Sequence, residues 1–266
     1  MNAPLEPSDR AERAAEVLLR LRAAGPRPRS LPAELAPASE LEAYAIQRAL
    51  ALRLGAQVGG WKVSMSTPQR GTWAPIFAED LYPSPARIGS RIADSLGIEP
   101  EVAFSLSRAL SPRPGARYSR EEVFDAIEGA HAAIEIVVSR FQSHEGAEPL
   151  DRLADNISNA GLVFGPPCRE WQRLDLRSLA LRLTVRFEDG SSTEHAASGG
   201  HPLGDPLMPL LWLINELSQR GIGAPAGTLI TTGSYAGLRA APAGARVLVE
   251  FAGLGAALLD VPGQAG

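Results

Sequence analysis

The apolar positions in the first quarter of the chain repeat at helical spacing. Four of them stand at i, i+3, i+4 and i+7, which places them on one face of a helix. Gly25 and Pro26 follow as a stop signal. A second helix is predicted to begin at Ser39, with Glu42 as its capping-box partner, and to end at Gly55. The four apolar positions of the first helix are Ala14, Val17, Leu18 and Leu21.

After Gly59 and Gly60 the apolar pattern changes to short runs typical of strands. The pair Asp189-Gly190 lies between two such runs and predicts a hairpin turn. The predicted strands are 61–65, 99–106, 132–140, 179–187 with a returning partner, 227–233, 246–253 and 255–261.

Three segments interrupt the strands. Residues 66–90 are rich in Ser, Thr, Pro and Gly and lack a helical period, so we expect a long ordered loop there. A helix is predicted from Ser119 to about His131, with Glu122 as its capping partner. Another is predicted from Asp205, with Pro206 in its first turn, to about Gly221.

The order of these elements favours an α+β fold. Strands outnumber helices after residue 60 and do not alternate with them regularly, which disfavours a doubly wound sheet. We therefore predict a small N-terminal helical region at 1–60, followed by a β-rich domain at 61–266.

Composition and charge exclude several classes of protein. The chain of 266 residues is 45% hydrophobic and 21% charged, as in ordinary globular proteins. Its net charge of -4 argues against a nucleic-acid surface. The single cysteine, Cys168, excludes an internal disulfide framework and a thiolate metal cluster. No glycine-rich nucleotide motif, targeting segment or membrane span is recognisable, so we expect a cytoplasmic protein that binds neither nucleic acid nor membrane.

Three glutamates stand where a strand rarely carries charge. Glu99 and Glu101 are two apart, so both carboxylates share one face of a strand. Glu135 lies inside an apolar run, where an unpaired carboxylate costs several kcal/mol to bury, about 3–5 by analogy with a broken ion pair. On its own, the first pair is more often a solvated strand face, and Arg140 is an alternative partner for Glu135. Together the three predict an all-oxygen site for Mg²⁺ or Mn²⁺.

Six motifs in order make the chain resemble the fumarylacetoacetate hydrolase superfamily. The resemblance is strongest to its branch of 2-keto-4-pentenoate hydratases and 4-oxalocrotonate decarboxylases, and it covers about residues 40–261. The motifs are GWKVSMS at 60–66, IEPEVAFSLSRAL at 98–110, AAIEIVVSRF at 132–141, LADNISNAGLVFG at 153–165, LGDPLMPLLWLINELSQRG at 203–221 and LITTGSYAGLRAAPAGARV at 229–247.

The resemblance implies a β-rich domain of mixed sheets that holds one Mg²⁺ or Mn²⁺. It implies that Lys62 places positive charge beside the substrate. An acid–base residue is expected near 79–80, and the segment after Lys62 is shorter than in family hydratases, so either Glu79 or Asp80 is a candidate. The implied metal ligands are Glu99, Glu101 and Glu135. Residues expected near the substrate are Asp155, Asn156, Ser158, Thr232, Gly233 and Ser234.

The implied reaction is hydration of a 2-hydroxy-2,4-dienoate or 2-oxo-4-enoate in aromatic-compound catabolism. The same site suits decarboxylation of a 4-oxalocrotonate-type acid or C–C hydrolysis of an acylpyruvate. A weakly active structural partner of a hydratase–decarboxylase complex is an alternative of another class. We also expect a homo-oligomer, with a related decarboxylase or hydratase subunit as a further partner.

None of the four histidines is predicted to take part in catalysis. His195 and His201 lie in polar, glycine-rich sequence and are interpreted as surface residues. His131 and His144 have no recognisable catalytic neighbours in the sequence.

Overall fold

The computed structural model describes residues 8–23, 26–88 and 95–263. Two long helices come first, α1 at Asp9–Ala23 and α2 at Glu40–Leu54. The Ser39 side chain accepts a hydrogen bond from the Glu42 backbone, and Gly55 ends α2 in a left-handed conformation, as predicted. The predicted stop at Gly25 lies outside the described residues. Three further helices follow within the described residues: α3 at Arg120–Phe124, α4 at Pro149–Ala154 and α5 at Leu207–Gln219.

The larger of two sheets carries the predicted site. Its strands run in the order β2-β1-β10-β5-β6-β7-β3, and β11 pairs with residues 95–98 at the beginning of β5. The pairing is mixed, because β1 runs parallel to β10 whereas β5 and β6 are antiparallel. These strands are β1 at Val58–Thr67, β2 at Arg70–Phe77, β3 at Leu81–Pro83, β5 at Ser95–Leu106, β6 at Ile127–Val137, β7 at Asn159–Phe164, β10 at Leu229–Ser234 and β11 at Arg239–Pro242.

A smaller sheet packs against β6 and β7 of the larger one. Its order is β4-β13-β12-β8-β9, and Gly190 forms the predicted turn between β8 and β9. Helix α5 packs against β1 and β10 of the larger sheet. The prediction of an α+β fold with mixed sheets and a helical N-terminus is confirmed. The strands of the smaller sheet are β4 at Ala86–Arg87, β8 at Ala180–Arg186, β9 at Ser192–Ser198, β12 at Arg246–Phe251 and β13 at Gly255–Asp260.

The prediction of a loop over 66–90 is wrong for most of that range. Residues 70–77 form β2, which pairs with β1 in a tight hairpin. Strand β2 lies at the edge of its sheet, where Pro75 is tolerated without a donor. Trp73 stacks on Tyr44 of α2 with ring centroids 4.3 Å apart. The Pro and Thr content of this segment therefore led to the wrong prediction. Packing against α2 stabilises strand β2 there despite that composition. Residues 89–90 lie outside the described part.

The helix predicted from Ser119 to His131 ends at Phe124. The capping box of Ser119 and Glu122 is present, so the beginning of the helix is confirmed. From Ile127 the chain joins β6, which is hydrogen-bonded to β5 on one side and β7 on the other. The pairing of residues 127–131 with β5, and the bridge of Ala130 to Cys168, override the local helical preference. His131 consequently lies in a strand, buried between Ser105 and the Gly165 carbonyl.

The hydrophobic core joins the N-terminal helices to both sheets. Leu18 of α1, Leu50 of α2 and Phe104 of β5 are fully buried in one cluster. The division of the chain at residue 60 stays a prediction. Among the described helices, none has the length and apolar character needed to cross a membrane.

Candidate metal centre

The register between β5 and β6 brings the three predicted carboxylates together. Glu99 lies directly opposite Glu135, and Glu101 lies two residues further along β5. One carboxylate oxygen from each residue lies within 4.8 Å of the other two. Glu101 and Glu135 are buried, whereas Glu99 is partly exposed. The carboxylates therefore converge on one point rather than forming a solvated strand face.

The Glu101 carboxylate is held by the end of β10. It accepts hydrogen bonds from the Thr231 hydroxyl and, at 2.8 Å, from the Gly233 backbone N–H. Gly233 has φ +120°, a conformation that other residues rarely adopt. A glycine at this position therefore lets the backbone turn its N–H toward the carboxylate.

Glu135 is held by a lysine and an amide. The Lys62 ammonium donates to Oε1 of Glu135, and the Asn159 amide donates to the same oxygen at 2.9 Å. The other carboxylate oxygen, Oε2, is buried and has no hydrogen-bond partner among the described residues. Arg140, the alternative partner considered from the sequence, instead forms an ion pair with Asp155 at 2.6 Å.

Lys62 is the only lysine in the chain. It is 5% exposed and lies on β1, paired with Thr231 of β10. Burial opposes its charged form, but the carboxylates of Glu135, Glu99 and Glu101 outweigh burial, and the pKa of Lys62 is raised. In the metal-free protein Lys62 is therefore a cation at neutral pH beside the carboxylate cluster.

The carboxylates repel one another in the absence of a cation. Burial and the neighbouring charge of Glu135 raise the pKa of Glu99 from 4.5 to about 7. Burial, Glu135 and Glu99 together raise the pKa of Glu101 well above its ordinary value. One lysine does not balance three ionised carboxylates, so part of the metal-free cluster is protonated at neutral pH.

These raised pKa values predict how Mg²⁺ changes stability with pH. A group whose pKa is higher in the folded than in the unfolded state stabilises the fold fully at pH values below the unfolded pKa. That stabilisation is lost as the pH rises through the folded pKa. For Glu99, the rise of the pKa from 4.5 to about 7 corresponds to about 3 kcal/mol of unfolding free energy, which the metal-free protein loses between pH 5 and pH 8. We expect the gap between melting temperatures in Mg²⁺ and in EDTA to widen over that range. A gap that narrows as pH rises would contradict this assignment.

A cavity of about 210 Å³ opens onto the cluster. Lys62, Glu99 and Glu101 line it, as do the predicted residues Thr232, Gly233 and Ser234 of β10. The β10 residues reach the cavity because the register between β10 and β5 shifts after Thr231. The structure thus brings six of the sequence-predicted site residues to one cavity, with Glu135 behind them.

The segment of Asn156 and Ser158 forms a left-handed turn beside the cavity. Asn156, Ile157 and Ser158 have φ of 52°, 53° and 59°, which is a strained conformation for non-glycine residues. Arg140 holds this turn through hydrogen bonds to Asp155 and to the Asn159 carbonyl. Ile157 lines the cavity, and its carbonyl lies 3.4 Å from the Lys62 ammonium. Asn156 and Ser158 are buried and do not line the cavity themselves.

Glu79 and Asp80 lie away from the cavity. They belong to a short 3-10 helix, Ala78–Asp80, in which Glu79 is exposed. The Asp80 carboxylate accepts a hydrogen bond from the Tyr82 hydroxyl at 3.4 Å. Neither residue lines the cavity, so the geometry does not support the prediction that one of them is the acid–base residue.

Two histidines that the sequence analysis set aside line the cavity. His201, predicted to be at the surface, is buried, and its Nε2 lies 2.8 Å from the Thr232 carbonyl. His144 is partly buried in the loop before α4 and also faces the cavity. No pattern in the local sequence marks either histidine as a residue of the cavity.

The donor set fits a hard divalent cation. All the converging ligand atoms are carboxylate oxygens, which Mg²⁺ and Mn²⁺ prefer. A buried oxygen of Glu135 without a hydrogen-bond partner among the described residues is a ligand atom free to bind a cation. A bound cation also removes the repulsion that raises the pKa of Glu99.

Comparisons with known proteins agree with this geometry. Residues 65–261 match the family described as fumarylacetoacetate (FAA) hydrolase C-terminal. The chain is 27% identical over 224 residues to a 4-oxalocrotonate decarboxylase of Pseudomonas putida, covering 80% of this chain and 82% of the relative. It is 30% identical over 204 residues to a 2-keto-4-pentenoate hydratase of Paraburkholderia xenovorans (strain LB400), covering 73% of each chain.

A solved structure shares the fold. The 4-oxalocrotonate decarboxylase from Pseudomonas putida G7, complexed with magnesium and adipate, superposes with a TM-score of 0.78 at 22% identity. The match covers 95% of this chain and 97% of that one. With the family match over most of its length, the chain belongs to the fumarylacetoacetate hydrolase C-terminal family.

Proposed function

We propose that this chain is a divalent-metal-dependent hydro-lyase. It adds water to a 2-hydroxy-2,4-dienoate, or to its 2-oxo-4-enoate tautomer, to give a 4-hydroxy-2-oxo acid. The observation that carries the proposal is the cluster of three carboxylates and the only lysine beside one small cavity, which Lys62, Glu99 and Glu101 line. The 2-keto-4-pentenoate hydratase among the relatives supports the reaction type. We propose that the reaction belongs to aromatic-compound catabolism.

Glu99, Glu101 and Glu135 would hold the metal, which we propose to be Mg²⁺ or Mn²⁺. When bound, such a cation supplies a Lewis acid that withdraws electron density from a substrate oxygen. The carboxylates need no movement of the backbone to meet one cation, because the register of β5 and β6 already aligns them. The hydrogen bonds from Thr231 and Gly233 fix the Glu101 carboxylate in place.

Lys62 and the β10 turn orient the acid and stabilise its charge. Negative charge that develops on the C2 oxygen during ketonisation is stabilised by the Lys62 ammonium. The Ser234 hydroxyl is the candidate to bind the C1 carboxylate, since Ser234 lines the cavity and its hydrogen bond to the Gly237 carbonyl is long, at 3.3 Å. The Thr232 hydroxyl already donates to the Val102 carbonyl at 3.0 Å. In the complete reaction the C2 hydroxyl loses its proton and C5 gains one. The oxygen of water then adds to C4, and a proton adds to C3.

Decarboxylation is the second candidate, favoured by the similarity to a 4-oxalocrotonate decarboxylase over 80% of this chain. In that reaction the bond from the distal carboxylate to the carbon chain breaks and CO₂ leaves. The electron pair stays on the conjugated chain, where Lys62 would again stabilise it. The two reactions therefore need the same metal ligands and the same cation at Lys62. They differ in whether the substrate carries a second carboxylate.

A spectroscopic assay tests the proposal and separates the two reactions. Freshly generated 2-hydroxypenta-2,4-dienoate is followed by its ultraviolet absorbance with the protein in Mg²⁺, in EDTA, and with Glu101→Ala. We expect fast decay that needs Mg²⁺ and Glu101, and a product that has gained one water by mass spectrometry. Glu250→Ala, which removes an exposed strand carboxylate, is the matched control. No decay, together with CO₂ release from 4-oxalocrotonate, would replace hydration by decarboxylation.

The remaining expectations from the sequence stay predictions. These are the homo-oligomeric assembly, the cytoplasmic location, and pairing with a related hydratase or decarboxylase subunit. Sedimentation of the purified protein, alone and mixed with such a subunit, measures the first and the third.

A further inference from the structure

The cavity has two chemically different parts. One part is formed by Lys62, Glu99, Glu101 and the β10 turn and is charged and polar. Much of the remaining lining is apolar, from residues in the 156–158 turn, strand β1, the segment before α5 and α5 itself. The apolar part of the lining consists of Val63, Met65, Ile157, Pro202, Leu203 and Pro209. The polar side chains of Ser64, His144 and His201 also line the cavity.

The histidines in the lining add no positive charge. Nε2 of His201 donates to the Thr232 carbonyl, and Nδ1 accepts from the Leu203 N–H at 3.2 Å, so both ring nitrogens are used in the neutral form. Burial lowers the pKa of His201. Burial and the charge of Lys62 lower the pKa of His144 to about 4. Both side chains are therefore uncharged at neutral pH.

Lys62 is directed toward the carboxylate cluster. Its ammonium donates to Glu135 and lies 3.4 Å from the Ile157 carbonyl. Among the described residues that line the cavity, it is the single cationic side chain. A substrate carboxylate in the apolar part would lose its hydration without gaining a charged partner, and that loss is strongly unfavourable.

We propose that this cavity selects 2-oxo and 2-hydroxydienoate acids whose far end is uncharged, and rejects the dicarboxylic acids of the same length. The inference rests on the proposed function and names the substrate class of that site. A volume of about 210 Å³ is below the usual range for drug-sized ligands, about 300–1,000 Å³, which agrees with a short acid.

Binding of two matched acids tests the selection without turnover. We would titrate the Mg²⁺-loaded protein with 2-oxohexanoate and with 2-oxohexanedioate in a calorimeter, because the pair differs only in a methyl or a carboxylate at C6. We expect the monoacid to bind at least about tenfold more tightly. Equal or tighter binding of the diacid overturns the selection and leaves the metal site and the hydro-lyase proposal standing. If neither acid binds, both proposals fail.

A charge introduced into the apolar part tests where the selection arises. Leu203 is partly exposed and offers its backbone N–H to His201, so its side chain is replaceable without breaking that hydrogen bond. We expect Leu203→Arg to raise affinity for 2-oxohexanedioate at least about tenfold and to lower affinity for 2-oxohexanoate. The matched variant Leu203→Gln adds polarity without charge, and we expect it to weaken the monoacid without favouring the diacid. An unchanged preference in Leu203→Arg would show that the far end of the acid lies elsewhere.

Discussion

Glu101→Gln is expected to abolish metal-dependent turnover, with a loss of about 10³-fold or more. The amide keeps an oxygen that can accept the hydrogen bonds from Thr231 and Gly233, so the local fold is preserved. It removes the charge that a divalent cation needs. We expect calorimetry to show Mg²⁺ binding weakened by about 100-fold or more.

The same variant should stabilise the metal-free protein. The raised pKa of Glu101, caused by burial and by Glu135 and Glu99, means that its ionised form is unfavourable in the fold. Removing that charge should raise the melting temperature in EDTA and abolish the rise that Mg²⁺ gives the wild-type protein. Glu250→Gln, on an exposed position of β12, should change neither quantity. A variant that binds Mg²⁺ as tightly as the wild type would remove Glu101 from the ligand set.

Lys62→Met is expected to have the second large effect, on both stability and rate. Methionine fills a similar volume but leaves the buried Glu135 without its cation. Breaking a buried ion pair in this way costs about 3–5 kcal/mol. We expect that loss in EDTA and a smaller one in Mg²⁺, since a bound cation also compensates Glu135. With Mg²⁺ present, kcat should fall by about 10²–10³-fold, because the charge near the C2 oxygen is gone.

The double variant Lys62→Met with Glu135→Gln separates the ion pair from packing. In EDTA the second substitution should recover most of the stability lost in the first, because no unpaired charge remains. Arg182→Met breaks an exposed pair with Glu194 and should cost less than about 1 kcal/mol. If urea unfolding shows Lys62→Met to be no less stable than Arg182→Met, the buried pair does not contribute as described.

The carboxylate cluster could be predicted from the sequence because its glutamates lie in otherwise apolar strand segments. Glu135 interrupts an apolar run, and Glu99 and Glu101 alternate with apolar residues of a strand. Local patterns that conflict with a buried strand mark functional positions. The sequence pattern did not predict the register of β5 and β6, which places Glu99 opposite Glu135. The order of the six motifs supplied the family, and with it the expected fold.

The remaining differences have long-range causes. The partner of Glu135 is Lys62, 73 residues earlier in the chain, rather than the nearby Arg140. His201 becomes buried because β10 passes beside it and offers the Thr232 carbonyl. The predicted loop became β2 because Trp73 stacks on α2. In each case a contact between segments far apart in the sequence determined the structure. The spacing of residues along the chain does not predict such contacts.

The presence of a single lysine lets one spectroscopic label report on the interior of this protein. Every other basic side chain besides the histidines is an arginine, so an isotope carried by lysine occupies one position alone. Expression with ¹³Cε-labelled lysine would then place one side-chain NMR label at the buried Lys62 without chemical modification of its ammonium. The chemical shift of that label would report directly on the electrostatic state of the carboxylate cluster, without a substrate and without altering the surface of the protein.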